Sequence, residues 1–176
     1  MPDPLVPLPP ARTPGRYSVG LVCLGNICRS AMADVVLSDK VAEAGLDDVV
    51  EVVSCGTGGW HVGDPMDRRA AATLEQAGYD GRDHRAQQYD DALGERCDAL
   101  LAMDASNLAD LGGRDARDGR VGLFGDHDPL HPGSEVDDPY YGGDEGFHEV
   151  LAQVERAADA IVAALPEAMR DGGDEG

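Results

Sequence analysis

Hydrophobic and polar positions along this chain switch repeatedly between the period of a strand and that of a helix. Tyr17-Ser18-Val19-Gly20-Leu21-Val22 is a short apolar run that predicts a buried strand ending at Cys23. The segment Ala31-Met32-Ala33-Asp34-Val35-Val36-Leu37 predicts a helix from Ser30 to Ala44, stopped by Gly45. Val49 to Cys55 is rich in β-branched residues and predicts a second strand. The glycine-rich run from Gly56 to Gly63 must then be a loop. Met66, Ala70, Leu74 and Ala77 share one face of a second helix ending at Gly78. Asp98 to Met103 predicts a third strand, with Asp104 or Ser106 capping a short helix behind it. Gly119 to Phe124 predicts a weaker fourth strand, and Gly125 to Gly143 a long polar loop. The clearest helical signal comes last, with Phe147, Val150, Leu151, Val154, Ala158, Ile161, Val162 and Leu165 at helical spacing.

Strands that alternate with helices predict an α/β fold: a four-stranded parallel sheet flanked by helices on both faces. In such sheets ligands bind beyond the carboxyl ends of the strands. Cys23, Trp60, Asp104 and Asp138 all fall after predicted strands, so one cleft can collect them.

The length of 176 residues predicts one domain, over residues 17–170. Residues 1–16 hold six prolines and few apolar side chains, which predicts a disordered tail; residues 171–176 predict a second one. A formal net charge of -20 argues against nucleic-acid and anionic-membrane partners. It also makes any anion site a local exception to the overall field. No apolar run approaches the roughly 20 residues of a membrane span. The N-terminus lacks the order of a signal peptide, so a cytoplasmic protein, and a monomer, is expected. The four cysteines, Cys23, Cys28, Cys55 and Cys97, form no CxxC pair, which argues against a zinc or thioredoxin-type site and predicts free thiols. His127 and His131, with Asp126 and Asp128, lack a partner motif and read as a solvated loop rather than a metal site.

One stretch carries the chemistry: Cys23-Leu24-Gly25-Asn26-Ile27-Cys28-Arg29-Ser30, a phosphate-binding loop in form, after the first strand. A helix N-terminus and a loop of inward N–H groups bind anions. Arg29 adds a planar fork that matches phosphate oxygens. An anion cradle around a thiol favours its nucleophilic thiolate form. Gly25 permits unusual backbone angles, Asn26 tolerates the left-handed region, and the Ser30 hydroxyl can bond the sulfur.

These residues resemble the low-molecular-weight protein tyrosine phosphatases. The matching segments are Cys23–Ser30, Gly56-Thr57-Gly58-Gly59-Trp60-His61-Val62-Gly63, Met103-Asp104-Ala105-Ser106-Asn107-Leu108 and Asp138-Pro139-Tyr140-Tyr141-Gly142, in the family's order. The resemblance implies that Cys23 attacks phosphorus to give a phosphocysteine, that Arg29 and the loop from Leu24 to Ser30 hold the phosphate, and that Asp138 is general acid and base. It implies that Trp60, Tyr140 and Tyr141 wall the cleft around a phosphotyrosine protein or peptide. Asn26, Ser30, Ser54 and His84 match a supporting hydrogen-bond network, and Asp104 supports the cleft floor or caps a helix. Cys28 is implied as a reversible disulfide partner of Cys23, while Cys55 is inert or a second redox partner. No cofactor or metal is required. Arsenate reductases and phosphoarginine phosphatases share the fold. The former lack the Asp-Pro-Tyr-Tyr segment, and the latter tend to carry threonine where this chain has Ile27. A non-catalytic phosphotyrosine-binding or redox-sensing module is the remaining alternative, and the presence of both Cys23 and Asp138 argues against it.

Overall fold

The computed structural model describes residues 7–140 and 142–171. Four strands, β1 (Tyr17–Cys23), β2 (Val50–Gly56), β3 (Ala99–Ala102) and β4 (Val121–Leu123), form one sheet in the order β2-β1-β3-β4. Every pairing is parallel, with Cys23 beside Gly56 and Val22 beside Ala102. The helices are α1 (Arg29–Glu43), α2 (Arg68–Gln76), α3 (Asp91–Arg96), α4 (Ala105–Asp110) and a C-terminal helix, Asp144–Asp171.

Two apolar layers sandwich the sheet. The larger gathers Leu21, Met32, Leu37, Leu74, Phe147, Ile161 and Leu165 from β1, α1, α2 and the C-terminal helix. The smaller, on the other face, gathers Val22, Cys55, Leu93, Cys97, Leu100 and Leu111. The chain leaving β1 therefore turns to one face and the chain leaving β3 to the other. That divergence opens a crevice between the carboxyl ends of neighbouring strands, the usual place for a ligand in this architecture.

The four strands and the major helices lie within a few residues of their predicted spans. Helix α3 was not anticipated from the pattern: it is six residues long, and Asp90 caps it by accepting from the Leu93 N–H at 2.8 Å. Such a cap is worth about 1 kcal/mol, which matters in a helix too short to sustain itself.

Two expectations about polar segments need correction. Residues 7–16 do not stand away from the domain. Leu8 and Ala11 are buried, the Ala11 N–H donates to the Ala168 carbonyl at 3.0 Å, and Tyr17 Oη donates to the Pro9 carbonyl at 2.6 Å. The Arg12 N–H donates to Asp98 Oδ1 at 2.9 Å, and Arg120 donates to the Pro10 carbonyl at 2.7 Å. A proline-rich strand has no internal backbone bonds, so its carbonyls are free for partners elsewhere. Residues 1–6 and 172–176 of the expected tails lie outside the described residues.

The second correction concerns the start of the long loop, which is not solvated. Phe124–His127 form a 3-10 turn in which Asp126, His127 and Asp128 are all buried. Asp126 receives two donors from Arg114, and Asp128 receives two from Arg156 at 2.9 and 3.0 Å. Burial opposes charge on both carboxylates, but the arginine forks outweigh it and hold both below the usual carboxylate range.

Two outcomes follow for stability. Leu8→Ala should cost about 2 kcal/mol in urea unfolding, a loss a free tail would not give. Burial lowers the His127 pKa below its ordinary 6.5, only partly offset by Asp126. Below that value the unfolded chain takes a proton that the native chain refuses. Stability should therefore fall as pH drops from 6.5 toward the native pKa. His127→Asn should flatten that slope in unfolding free energies measured across the same range.

Candidate active site

The loop after β1 curls under its own backbone, and Asn26 holds the curl. Asn26 has φ 59°, the left-handed region, and is fully buried. Every polar group it carries is engaged. Its N–H donates to Cys23 Sγ at 3.2 Å, its Nδ2 to Ser30 Oγ at 2.8 Å, and its Oδ1 accepts from the Gln87 N–H at 3.0 Å. Its carbonyl accepts from His84 Nε2 at 2.7 Å, so that nitrogen carries the proton. The left-handed residue is thus Asn26, not Gly25. Gly25 serves close approach instead, since a Cβ there would meet the His61 ring at 3.1 Å.

Cys23 Sγ is 2.9 Å from Ser30 Oγ. The Asn26 amide already donates into that hydroxyl, which leaves the hydroxyl proton for the sulfur or for the Cys55 carbonyl at 3.4 Å. A thiolate has no proton to offer, so Ser30 would be its donor.

Arg29, 3 % exposed, is the first residue of α1. Its Nη1 donates to Asp104 Oδ2 at 2.6 Å and to the Val136 carbonyl at 3.1 Å, and its Nη2 lies 3.6 Å from Asp138 Oδ2. Asp104 fills both roles considered for it: Oδ2 holds Arg29 while Oδ1 caps α4 by accepting from the Asn107 N–H at 2.8 Å. Arg29 is buried and Asp104 part-buried, so the pair is less screened than an ion pair on the surface.

Cys23, Arg29 and Asp138 line a cavity of about 320 Å³, together with Leu24, Gly25, Ile27, Cys28, Trp60, His61 and Tyr140. Trp60 is 74 % exposed, so it is a wall of the cleft and not core. Its ring folds over Gly58, where a Cβ would sit 1.8 Å from a ring carbon. Asp138, at the rim, accepts from the Tyr140 N–H at 3.0 Å. Tyr141 lies outside the described residues.

Ser54 sits one step further from the sulfur than expected. Its hydroxyl donates to Asp34 Oδ2 at 2.6 Å, and its carbonyl accepts from Gln87 Nε2 at 2.9 Å, so it reaches Asn26 through Gln87 and not directly. Asp34 was not singled out beforehand. Burial raises its pKa against hydrogen bonds from Ser54 and Ser38 and the charge of His84. Cys28 occupies the position before α1 without a side-chain capping bond and is buried, which pushes its thiol well above the ordinary range, with Asp67 and Cys23 adding to the effect. Burial pushes Cys55 to about 12 and Cys97 to about 11, so both stay protonated at neutral pH. His61, Gln87, Asp67 and Arg69 also belong to the surroundings of the cleft. Gln87, Asp67 and Arg69 each act on a partner far away in the chain, which spacing in the sequence does not reveal.

The profile described as "Low molecular weight phosphotyrosine protein phosphatase" matches residues 18–171. A low-molecular-weight protein-tyrosine-phosphatase of Streptomyces coelicolor is 44% identical over 158 residues, covering 86% of this chain and 94% of that one. The human low-molecular-weight phosphotyrosine protein phosphatase is 34% identical over 149 residues, covering 82% and 93%. A crystal structure of a protein tyrosine phosphatase from Entamoeba histolytica superposes with a TM-score of 0.80 at 29% identity, over 86% of this chain and 97% of that one. The fold and cleft are therefore those of an α/β phosphoric monoester hydrolase. The chain belongs to the low-molecular-weight phosphotyrosine protein phosphatase family.

Gly56 shows how tightly the loop is seated. A Cβ there would lie 2.6 Å from the Leu24 carbonyl oxygen and 3.0 Å from the Gly25 carbonyl carbon. Backbone cannot step aside as a side chain can. Gly56→Ala should cost about 2 kcal/mol in urea unfolding and weaken competitive inhibition by inorganic phosphate several-fold.

Proposed function

We propose that this chain hydrolyses phosphotyrosine in proteins and peptides through a phosphocysteine on Cys23, with Asp138 as general acid and then base. One observation carries the reading. Cys23 lines one cavity with Arg29 and Asp138, which lie 3.6 Å apart, and its Sγ is within hydrogen-bond reach of the Asn26 N–H and Ser30 Oγ.

The Cys23 thiolate forms the S–P bond as the P–O bond to the aryl group breaks. Arg29 and the loop N–H groups bind the equatorial oxygens, where charge shifts during transfer. Tyrosine leaves poorly as its anion because its phenol pKa is about 10, so Asp138 protonates the departing oxygen. A water then attacks phosphorus, Asp138 takes its proton, and the S–P bond breaks to release inorganic phosphate.

Trp60 and Tyr140 supply flat apolar walls for an aromatic ring, and Ile27 presents an alkyl group at the cavity wall. Both features favour an aryl phosphate over phosphoarginine. Cys28 lines the same cavity as Cys23 and supports a protective role. A peroxide would oxidise Cys23 to its sulfenic acid, and the Cys28 sulfur, giving up its proton, would displace water to form a disulfide.

Cys23→Ser should lose at least about 10³-fold in kcat/KM on a phosphotyrosine peptide, and Asp138→Asn about 10²-fold. Wild type should prefer that peptide over its phosphoserine and phosphoarginine counterparts. Retained activity in Cys23→Ser would sink the mechanism, and a preference for phosphoarginine would overturn the substrate.

A further inference from the structure

Asp138 lies on a short arc of chain held at both ends. On its N-terminal side Val136 is fully buried; its N–H donates to the Met103 carbonyl at 2.7 Å, and its carbonyl accepts from Arg29. On its C-terminal side the arc is held by a side chain from another element. Arg69, the second residue of α2, donates from Nη2 to the Tyr140 carbonyl at 2.8 Å and from Nη1 to the Gly142 carbonyl at 3.4 Å. Its guanidinium carbon lies 5.5 Å from the Tyr140 ring centroid and 4.7 Å from that of Phe147, which is fully buried.

The same guanidinium returns to Asp67, with Nε at 3.3 Å from Oδ1 and Nη2 at 3.2 Å from Oδ2. Asp67 caps α2 through the N–H groups of Arg69 and Ala70. Burial opposes its charge, but these donors outweigh it and keep the carboxyl below the usual range. The Asp67 N–H donates to the Ile27 carbonyl, inside the phosphate-binding loop, at 2.9 Å. One continuous path therefore runs from that loop through Asp67 and Arg69 to Tyr140. From Tyr140 it reaches the carboxyl itself, because the Tyr140 N–H donates to Asp138 Oδ1 at 3.0 Å.

We propose that Arg69 is a positioning residue for proton transfer by Asp138, holding the Tyr140 main chain, and through it the Asp138 carboxyl, at a fixed place over the phosphate-binding loop. Arg69 is not among the residues lining the cavity, so it acts through Asp138 and not on the phosphate. A planar fork gripped by a carboxylate and two rings loses little further freedom when it binds a carbonyl. General acid catalysis needs donor and acceptor within about 2.6–3.2 Å, and a 1 Å error can cost about 10²-fold. The inference rests on the reading of Asp138 as the acid.

Leaving-group dependence tests it. The ratio kcat/KM reports the steps up to departure of the aryl group. A tyrosyl or phenyl oxygen needs a proton to leave, whereas 4-nitrophenolate leaves with little help. Arg69→Ala should lower kcat/KM by about 10-fold or more on phosphotyrosine and phenyl phosphate. On 4-nitrophenyl phosphate the loss should be about 3-fold or less, with inhibition by inorganic phosphate unchanged within about 2-fold. In an Asp138→Asn background Arg69→Ala should add less than about 2-fold on any of the three. Arg69→Lys, which keeps the charge but not the fork, should fall between wild type and Arg69→Ala, and it carries the comparison if the alanine variant does not fold. An equal loss on all three substrates, or a loss that persists in the Asp138→Asn background, would overturn the role of Arg69. If Asp138→Asn alone leaves the leaving-group dependence unchanged, it is the assignment of Asp138 that fails.

Discussion

The buried, left-handed Asn26 is the constraint on which the cleft depends. A non-glycine residue at positive φ is held there only when its surroundings repay the strain, which is of the order of 1–3 kcal/mol. Here the repayment is complete. The N–H, carbonyl and both amide atoms of Asn26 meet Cys23, His84, Ser30 and Gln87 respectively. The turn this produces brings a backbone N–H and a hydroxyl to one sulfur. Glycine at the same position would accept the angle but would lose the amide that orients Ser30. Gly56 provides the complementary floor, because β2 can pass beneath the loop only where no side chain intervenes.

Charge in the cleft is arranged against the field of the whole molecule. The chain carries -20, yet the cavity must receive a doubly charged phosphate group. Arg29 is shared with Asp104 and faces Asp138, so its single positive charge is not surplus. The loop dipoles and the start of α1 must supply much of the attraction, at short range and fixed in direction. Such attraction does not weaken as a mobile surface charge would.

The proposed acid is placed differently from the proposed nucleophile. Cys23 is set by the residues that follow it in the chain. Asp138 is set by contacts that come from β3, α1 and α2 through Met103, Arg29 and Arg69. Each tether ends on backbone, at Val136 or Tyr140, while the Asp138 side chain remains at the rim, able to meet both a leaving oxygen and water.

The residue pattern alone determined the parallel sheet, its long helices, and the place of the segment from Cys23 to Ser30 between the first strand and the first helix. Strand and helix periods are local, and the loop is contiguous, so both are written in neighbouring letters. The shared position of Trp60, Asp104 and Asp138 at strand ends was legible for the same reason. Tertiary structure decided the rest. Helix α3 is too short to leave a period, and residues 7–16 pack because partners on β1 and the C-terminal helix accept their few apolar side chains and free carbonyls. Pairing with Arg114 and Arg156 lets the Asp126 and Asp128 carboxylates sit buried in what reads as a polar run, which no local composition reveals. Ser54 reaches Asn26 through Gln87, and Arg69 reaches Tyr140 across 71 positions of chain. Hydrogen bonds between distant residues carry no signature in spacing, so only the folded chain could show which of them hold the Cys23 thiol and the Asp138 carboxyl in place.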